Sequence, residues 1–217
     1  MKLVAVCISR QPVEWENGWP FYNLAEDIEL STRDPYEYTK ALAEKRNRAV
    51  AQALKKYPET DHIMMCDSYY ANQTGPLHEL VHDYAEFENR AILGGAIWGV
   101  IVTSLGRYFR GNPYLEWFDR WAVPEMSGLR RIPVSPGRVF IQVSSVGGVN
   151  IFPRTLWDQG IRYGPCQDLH GCEHNYFCEQ TDMPKLIDLR AEFRRQRIYP
   201  FMKCLRMSLH LGRLIGR

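Results

Sequence analysis

Asp67 is the residue whose type and setting point most directly to chemistry. It closes the apolar run His62 to Cys66 (HIMMC) and leads into Ser68-Tyr69-Tyr70. A carboxylate at the end of a buried strand packs poorly, but it suits a divalent cation or a ribose hydroxyl. Mg²⁺ commonly takes one or two protein carboxylates and completes its shell with phosphate oxygens and water. A turn-forming Asp would look the same. A second group lies between Cys166 and Cys178, where three Cys and two His alternate with Glu173. These are enough ligands for zinc, yet five residues separate successive Cys and there is no C-x₂-C knuckle. The other reading of this segment is a Glu173-His174 pair at a helix start, able to supply a general base. Gly147-Gly148 lacks Cβ atoms at two successive positions, which suits a positive-φ turn or the close approach of a ligand.

These residues need elements to position them. Lys2 to Ile8 (KLVAVCI) reads as a buried strand ending at Ser9-Arg10, and His62 to Cys66 as another ending at Asp67-Ser68. Leu42, Ala49, Val50, Ala53, Leu54 and Tyr57 fall on one helical face, with Asp34-Pro35 as a start and Pro58 as a limit. Arg46 lies on that apolar stripe, so its guanidinium must snorkel outward or meet an anion. Leu77, Leu80, Val81, Tyr84 and Phe87 give a second amphipathic helix. Ile92 to Val102 is one or two strands with a glycine break, Val139 to Val143 and Val149 to Phe152 are short strands, and Pro153 to Gly160 a short helix. Residues 11–38 read as a long aromatic loop, whose Trp15 and Trp19 could stack on a ligand. Residues 106–136 look irregular. Strands alternating with helices predict an α/β fold with helices on the faces of one mixed, mostly parallel sheet. In such sheets ligands bind at the carboxyl ends of the strands, which places Ser9-Arg10 and Asp67-Ser68 on one cleft.

The composition excludes more than it selects. The 217 residues are 45% hydrophobic and 24% charged, as in an ordinary globular chain. A chain of this size holds a core without cross-links, so its six Cys are expected to be reduced. A net charge of +2 is too balanced to announce a nucleic-acid binder. From Arg190 onward, however, the segment is basic with Glu192 as its one acid. This predicts a basic helical C-terminus over 181–217, packed on a domain of residues 1–180 and suited to a polyanionic or lipid-linked partner. No secretory signal is visible, and the uncharged stretch Ala91 to Gly106 is shorter than the roughly 20 residues a spanning helix needs. The expected setting is cytoplasmic, without a transmembrane segment.

The order of a helix carrying Arg46-Asn47, then TDHIMMCDS, LGGAIWG, VSSVGGVNIFPRTLW and GCEHNYFCEQ resembles GT-A-fold glycosyltransferases, particularly the family 2-like ones, over residues 1–180. The resemblance implies a GT-A fold and transfer of a sugar from a nucleotide-sugar donor, often with Mn²⁺ or Mg²⁺ on the diphosphate. It places Ser9 and Arg10 in the nucleotide loop, Arg46 near the diphosphate, Asp67 and Ser68 in the metal motif, and Gly147, Gly148 and Val149 beside the donor sugar. Glu173 and His174 take the acidic-pair positions, as candidate bases, with His174 also able to join Asp67 as a metal ligand. The chain departs from the pattern twice: Tyr69 stands where the motif has its second Asp, and His174 replaces an Asp. Three alternatives remain: a non-enzymatic sugar-recognising module, a zinc-stapled nucleic-acid-binding module, and a nucleotidyltransferase. The last is disfavoured because SRQPVEWENG lacks a Gly-rich basic loop.

Overall fold

The computed structural model describes residues 1–27, 34–87, 89–103, 115–117, 123, 140–165 and 172–199. Strand β1 (Leu3–Ser9) is buried along its whole length, and it pairs in parallel with β2 (Phe21–Ala25) on one side and β3 (His62–Asp67) on the other. Next come β7 (Val149–Pro153), antiparallel to β3, and β4 (Ile92–Thr103), antiparallel to β7. Beyond β4 lie β8 (Lys185–Tyr199), parallel to it, and β6 (Phe140–Val143), antiparallel to β8; β5 (Leu115–Trp117) pairs with β4 off this path. The order β2-β1-β3-β7-β4-β8-β6, with β5 as the eighth strand beside β4, makes one mixed sheet.

Helices cover both faces, which is why the central strands read as apolar runs rather than as alternating patterns. One face buries Val4, Val6, Ile63 and Met65 under α1 (Pro35–Lys56), α3 (Arg154–Asp158) and α4 (Glu173–Glu179). The other buries Leu3, Ala5, Met64 and Ile151 under Leu77, Leu80 and Tyr84 of α2 (Thr74–Tyr84). Helix α1 starts where Asp34-Pro35 predicts. The Asp34 carboxylate accepts from the Tyr36 N–H at 2.9 Å, and Pro35 occupies the first turn, where its missing N–H costs nothing. Trp15 stacks on Phe21 at 4.5 Å and Trp19 lies 4.5 Å from the His78 ring, so both indoles pack against the α2 side of the sheet rather than standing ready for a ligand.

Three expectations are corrected. The sheet is mixed but not mostly parallel: among the described strands three pairings are parallel and four antiparallel. Residues 11–38 contain a strand, β2, and so are not all loop. The C-terminal segment is not helical over 185–199: it forms β8, inserted between β4 and β6, so no domain boundary falls near residue 180. Residues 200–217 lie outside the described part of the chain, as does most of 106–136. The glycine break of the LGGAIWG stretch sits inside one continuous strand, where the β4–β8 register shifts between Gly95 and Ala96. A Cβ on Gly95 would overlap the ring of Phe193, so the shift needs a residue without one. Among the described residues no helix is long and apolar enough to cross a membrane.

Helix α2 is pinned to the irregular part of β8 by a buried charge cluster. Asp83 and Asp188 are both fully buried. Arg190 donates from Nε to Asp83 at 2.7 Å and from its backbone N–H to Asp188 at 2.9 Å. Burial, and after it the neighbouring Asp83 carboxylate, push the Asp188 carboxyl up to about 7, although the Arg190 N–H pulls the other way. The folded protein therefore keeps a proton that an unfolded Asp releases near pH ~4, and the stability from this proton is lost as pH rises from there to neutrality. The exposed His82 is raised by its hydrogen bond to Asp83 and adds a loss of the same sign as pH climbs past its own titration. Because the buried, neutral His174 works in the opposite direction over the same range, the effect is isolated by comparison: the urea midpoint of the wild type is expected to fall relative to that of Asp188→Asn between mildly acidic and neutral pH. An equal slope in the two proteins would exclude this pair as a source of the pH dependence.

Candidate functional site

The parallel strands deliver Ser9 and Asp67 to the same carboxyl edge, with Ile8 paired to Asp67. Ser9 itself is consumed structurally. Its hydroxyl donates to the Gln11 carbonyl at 2.5 Å and accepts from Asn23 Nδ2 at 2.8 Å. Asn23 Nδ2 also reaches the Cys7 carbonyl at 3.2 Å, and its Oδ1 accepts from the Val13 N–H at 3.0 Å, bracing the loop that follows β1. Lys45, buried on α1, donates to the Ser9 carbonyl at 2.6 Å and to the Glu26 carbonyl, tying the ends of β1 and β2 together. Arg10 is left pointing outward, largely exposed and 3.7 Å from Asp27.

The centre of the site is Arg46. The apolar stripe of α1 carries it into the protein, where it is 3% exposed, and it meets not one anion but two. Its Nη2 donates to Asp67 Oδ1 at 2.7 Å and its Nε to Glu173 Oε1 at 2.9 Å. Burial works against the guanidinium's charge, but Asp67 and then Glu173 outweigh it, and the Arg46 pKa ends up raised. Asp67 keeps 27% of its side chain exposed, whereas Glu173 keeps 4%. Of the two carboxylates bound to Arg46, Asp67 is the one that opens to solvent.

The neighbours hold this triad in place. Asn47 clamps the backbone of Tyr163, donating to its carbonyl at 2.8 Å and accepting from its N–H at 3.0 Å. The Tyr163 ring then lies 5.7 Å from the Arg46 guanidinium, stacks on Phe177 and meets His174 edge to face. On the opposite side, the Asp67 N–H donates to the Gly148 carbonyl at 2.8 Å, and a Cβ on Gly148 would overlap Asp67 Oδ2. Gly148 therefore serves a close approach, with Asp67 itself as the partner. The Gly147 carbonyl accepts from Asn150 Nδ2 at 2.7 Å, and that same amide lies 3.5 Å from His174 Nδ1. Ser68 and the exposed Tyr69 continue past Asp67 toward solvent. Tyr38, on the first turns of α1, stands near enough for Glu173 and Asp67 to help burial raise its phenol, while Arg10 pulls it down.

His174 is buried and neutral. Burial first, and then the positive charge of Arg46, push its imidazole down to about 3. Its Nε2 lies 3.8 Å from Glu173 Oε1 and makes no hydrogen bond. An imidazole so weakly basic and so enclosed is a poor proton acceptor, and Glu173 is equally enclosed behind Arg46. The structure thus joins Arg46, Asp67, Glu173, His174 and Gly148 in one cluster, but turns the Glu173-His174 couple into its inner wall. Arg46 likewise is no free cation for a diphosphate. Lys45, Asn150, Tyr163 and Tyr38 complete the cluster without having been singled out from sequence. Asn150 carried a signal, being a lone polar residue in the apolar run Val149 to Phe152.

The residues expected to hold Mn²⁺ or Mg²⁺ do not fit that group. These ions require several oxygen ligands. Here Asp67 Oδ1 and Glu173 Oε1 are already bonded to a guanidinium, Tyr69 supplies no carboxylate, and His174 faces Asn150 and Glu173 from inside. Among the described residues no set of three His, Cys, Asp or Glu side chains is gathered to hold a metal. For a zinc staple, Cys166 and His170 lie outside the described residues. Cys172 caps α4 opposite Asn175, and Cys178 is buried with its thiol pushed up by that burial. Cys7, Cys66, Cys172 and Cys178 form no disulfide.

These features define an α/β protein with a single mixed sheet and an acidic, arginine-bridged cluster at the carboxyl edge of its parallel strands. No family model and no curated protein sequence matches the chain. Among solved structures, A197 from STIV is similar with a TM-score of 0.43 and 13% identity, over 87% of this chain and 82% of that one. So distant a likeness identifies neither the fold family nor the chemistry.

Proposed function

We propose that the chain is a nucleotide-sugar-dependent glycosyltransferase of the GT-A-like kind its motifs resemble. The observation that supports this reading most is the convergence of Asp67 and Glu173, far apart in sequence, on one buried guanidinium at the carboxyl edge of β3. That edge is where open α/β sheets bind nucleotides and related ligands. In this reading Asp67, the carboxylate with exposed area, accepts hydrogen bonds from hydroxyls of the donor. Arg46, Glu173 and His174 act behind it as positioning residues. Transfer breaks the bond between the anomeric carbon and the diphosphate, which leaves with the electron pair, and forms one to an acceptor oxygen, whose proton passes to the departing diphosphate or to water. Negative charge grows on the leaving diphosphate, and among the described residues Arg10, exposed just past the end of β1, is available to meet it. Tyr38 and Tyr69, both exposed, lie close enough to this cluster for their rings to meet a bound donor.

The test is a panel of nucleotide sugars incubated with the purified chain, followed by analysis of the nucleotide released. Nucleoside diphosphate is the expected product, from hydrolysis in the absence of an acceptor. Pyrophosphate would instead identify nucleotidyl transfer. A donor that raises the melting temperature but is never turned over would identify a sugar-nucleotide-binding module, a reading favoured by how fully Glu173 and His174 are enclosed. A panel with neither binding nor turnover would remove the proposal.

A further inference from the structure

We infer that Arg46 is the resident cation of this site, and that the site works without a divalent metal ion. The mechanistic half rests on the transferase reading above; the binding half does not.

The argument is one of charge and occupied lone pairs. Arg46 is held by hydrogen bonds of 2.7 and 2.9 Å to two carboxylates from different parts of the chain, and it lies on a long helix whose register the core fixes. It cannot swing aside without leaving Glu173 buried and unpaired, which is strongly unfavourable. A divalent ion on Asp67 would therefore have to sit beside a guanidinium that stays, on a carboxylate whose Oδ1 that guanidinium already occupies. The remaining oxygen, Oδ2, lies against the backbone of Gly148 on one side, so the part of Asp67 left open to solvent suits a hydrogen-bond donor better than a cation that needs several oxygen ligands. The position from which a second carboxylate would reach a shared ion is Tyr69, whose ring is 60% exposed and whose phenol is no substitute for a carboxylate. Arg46 thus fills, from inside, part of the electrostatic role that a metal bound to paired carboxylates would fill from outside: it holds Asp67 in a single orientation and offsets one of the two negative charges it bridges. Among the described residues Arg10, exposed just past the end of β1, is placed to supply cationic charge for a departing diphosphate.

The experiment has two arms that fail separately. In the first, Mn²⁺ is titrated into the full chain and followed by electron paramagnetic resonance, alone and in the presence of UDP or GDP. The free-ion signal is expected to match that of buffer, or of nucleotide alone. Mn²⁺ taken up by the wild type and lost in Asp67→Asn would overturn the inference. Uptake that survives Asp67→Asn lies away from this site and upholds it. In the second arm, hydrolysis of the donor identified from the panel is measured after exhaustive EDTA treatment. Retention of the rate is the supporting result. A loss of more than about tenfold, restored by Mn²⁺, would overturn the inference, because that is the scale on which a metal stabilises phosphate charge. Should no donor be turned over under any condition, the transferase reading falls, while the Mn²⁺ titration still decides the nature of the site.

Discussion

Replacing Arg46 by methionine is expected to destabilise the folded protein by about 3–5 kcal/mol, the usual cost of removing one partner from a buried ion pair. The methionine fills a similar volume, so packing loss contributes little. What remains is Glu173, almost fully enclosed, with neither a cation nor water to satisfy it. Asp67 suffers less because part of it is already hydrated. The expectation therefore has a direction within the triad: Glu173→Gln in the Arg46→Met background should recover most of the loss, and Asp67→Asn should recover less. Urea denaturation of the single and double variants measures these couplings, which neighbouring residues in one network are expected to show. An Arg46→Met variant within about 1 kcal/mol of the wild type would mean that the bridge is open in solution.

Much of this arrangement can be read from the sequence because single elements carry strong signals. The unbroken runs KLVAVCI and HIMMC belong to strands buried on both faces, and the helical stripe of α1 places Arg46 inward, where a charge demands a partner. What the sequence does not tell is which partner, since Glu173 and Asp67 meet only through the tertiary fold. It also leaves open the fate of the Glu173-His174 pair, because burial behind Arg46 follows from the position of Tyr163, which Asn47 sets. The segment 185–199 is the clearest misreading. Ile187, Leu189, Ala191 and Phe193 alternate with charged residues, the period of a strand, but the excess of Arg suggests a solvated helix. Even the alternation is deceptive: Ile187 and Leu189 pack on the α1 side, whereas Ala191 and Phe193 pack on the α2 side. The register shift opposite Gly95 inserts an odd number of residues and reverses the faces. Strand β2 is missed for a simpler reason: as an edge strand with only Leu24 buried, it has no apolar run to display.

Asp67→Asn separates stability from chemistry more cleanly than any other change at this site. Asparagine keeps the shape of the side chain and an Oδ1 that can still accept from Arg46 Nη2, so the bridge to α1 survives in weaker form. The part of Asp67 that remains exposed loses its charge, and with it the charge-assisted hydrogen bonds proposed to hold donor hydroxyls. Such bonds contribute about 1.5–3 kcal/mol each, so kcat/KM for donor hydrolysis is expected to fall roughly ten- to a hundredfold. The melting temperature should drop far less than in Arg46→Met, because the carboxylate lost is the hydrated one. Asp67→Ala goes further, leaving Arg46 Nη2 without an acceptor inside the protein, and is expected to abolish turnover. If both variants hydrolyse the donor at the wild-type rate while remaining folded, the exposed oxygen of Asp67 takes no part in binding. The site would then have to be sought away from the carboxyl edge of β3. A loss confined to KM would instead assign Asp67 to uniform binding of the donor, and a loss in kcat to contacts that strengthen as the glycosidic bond breaks.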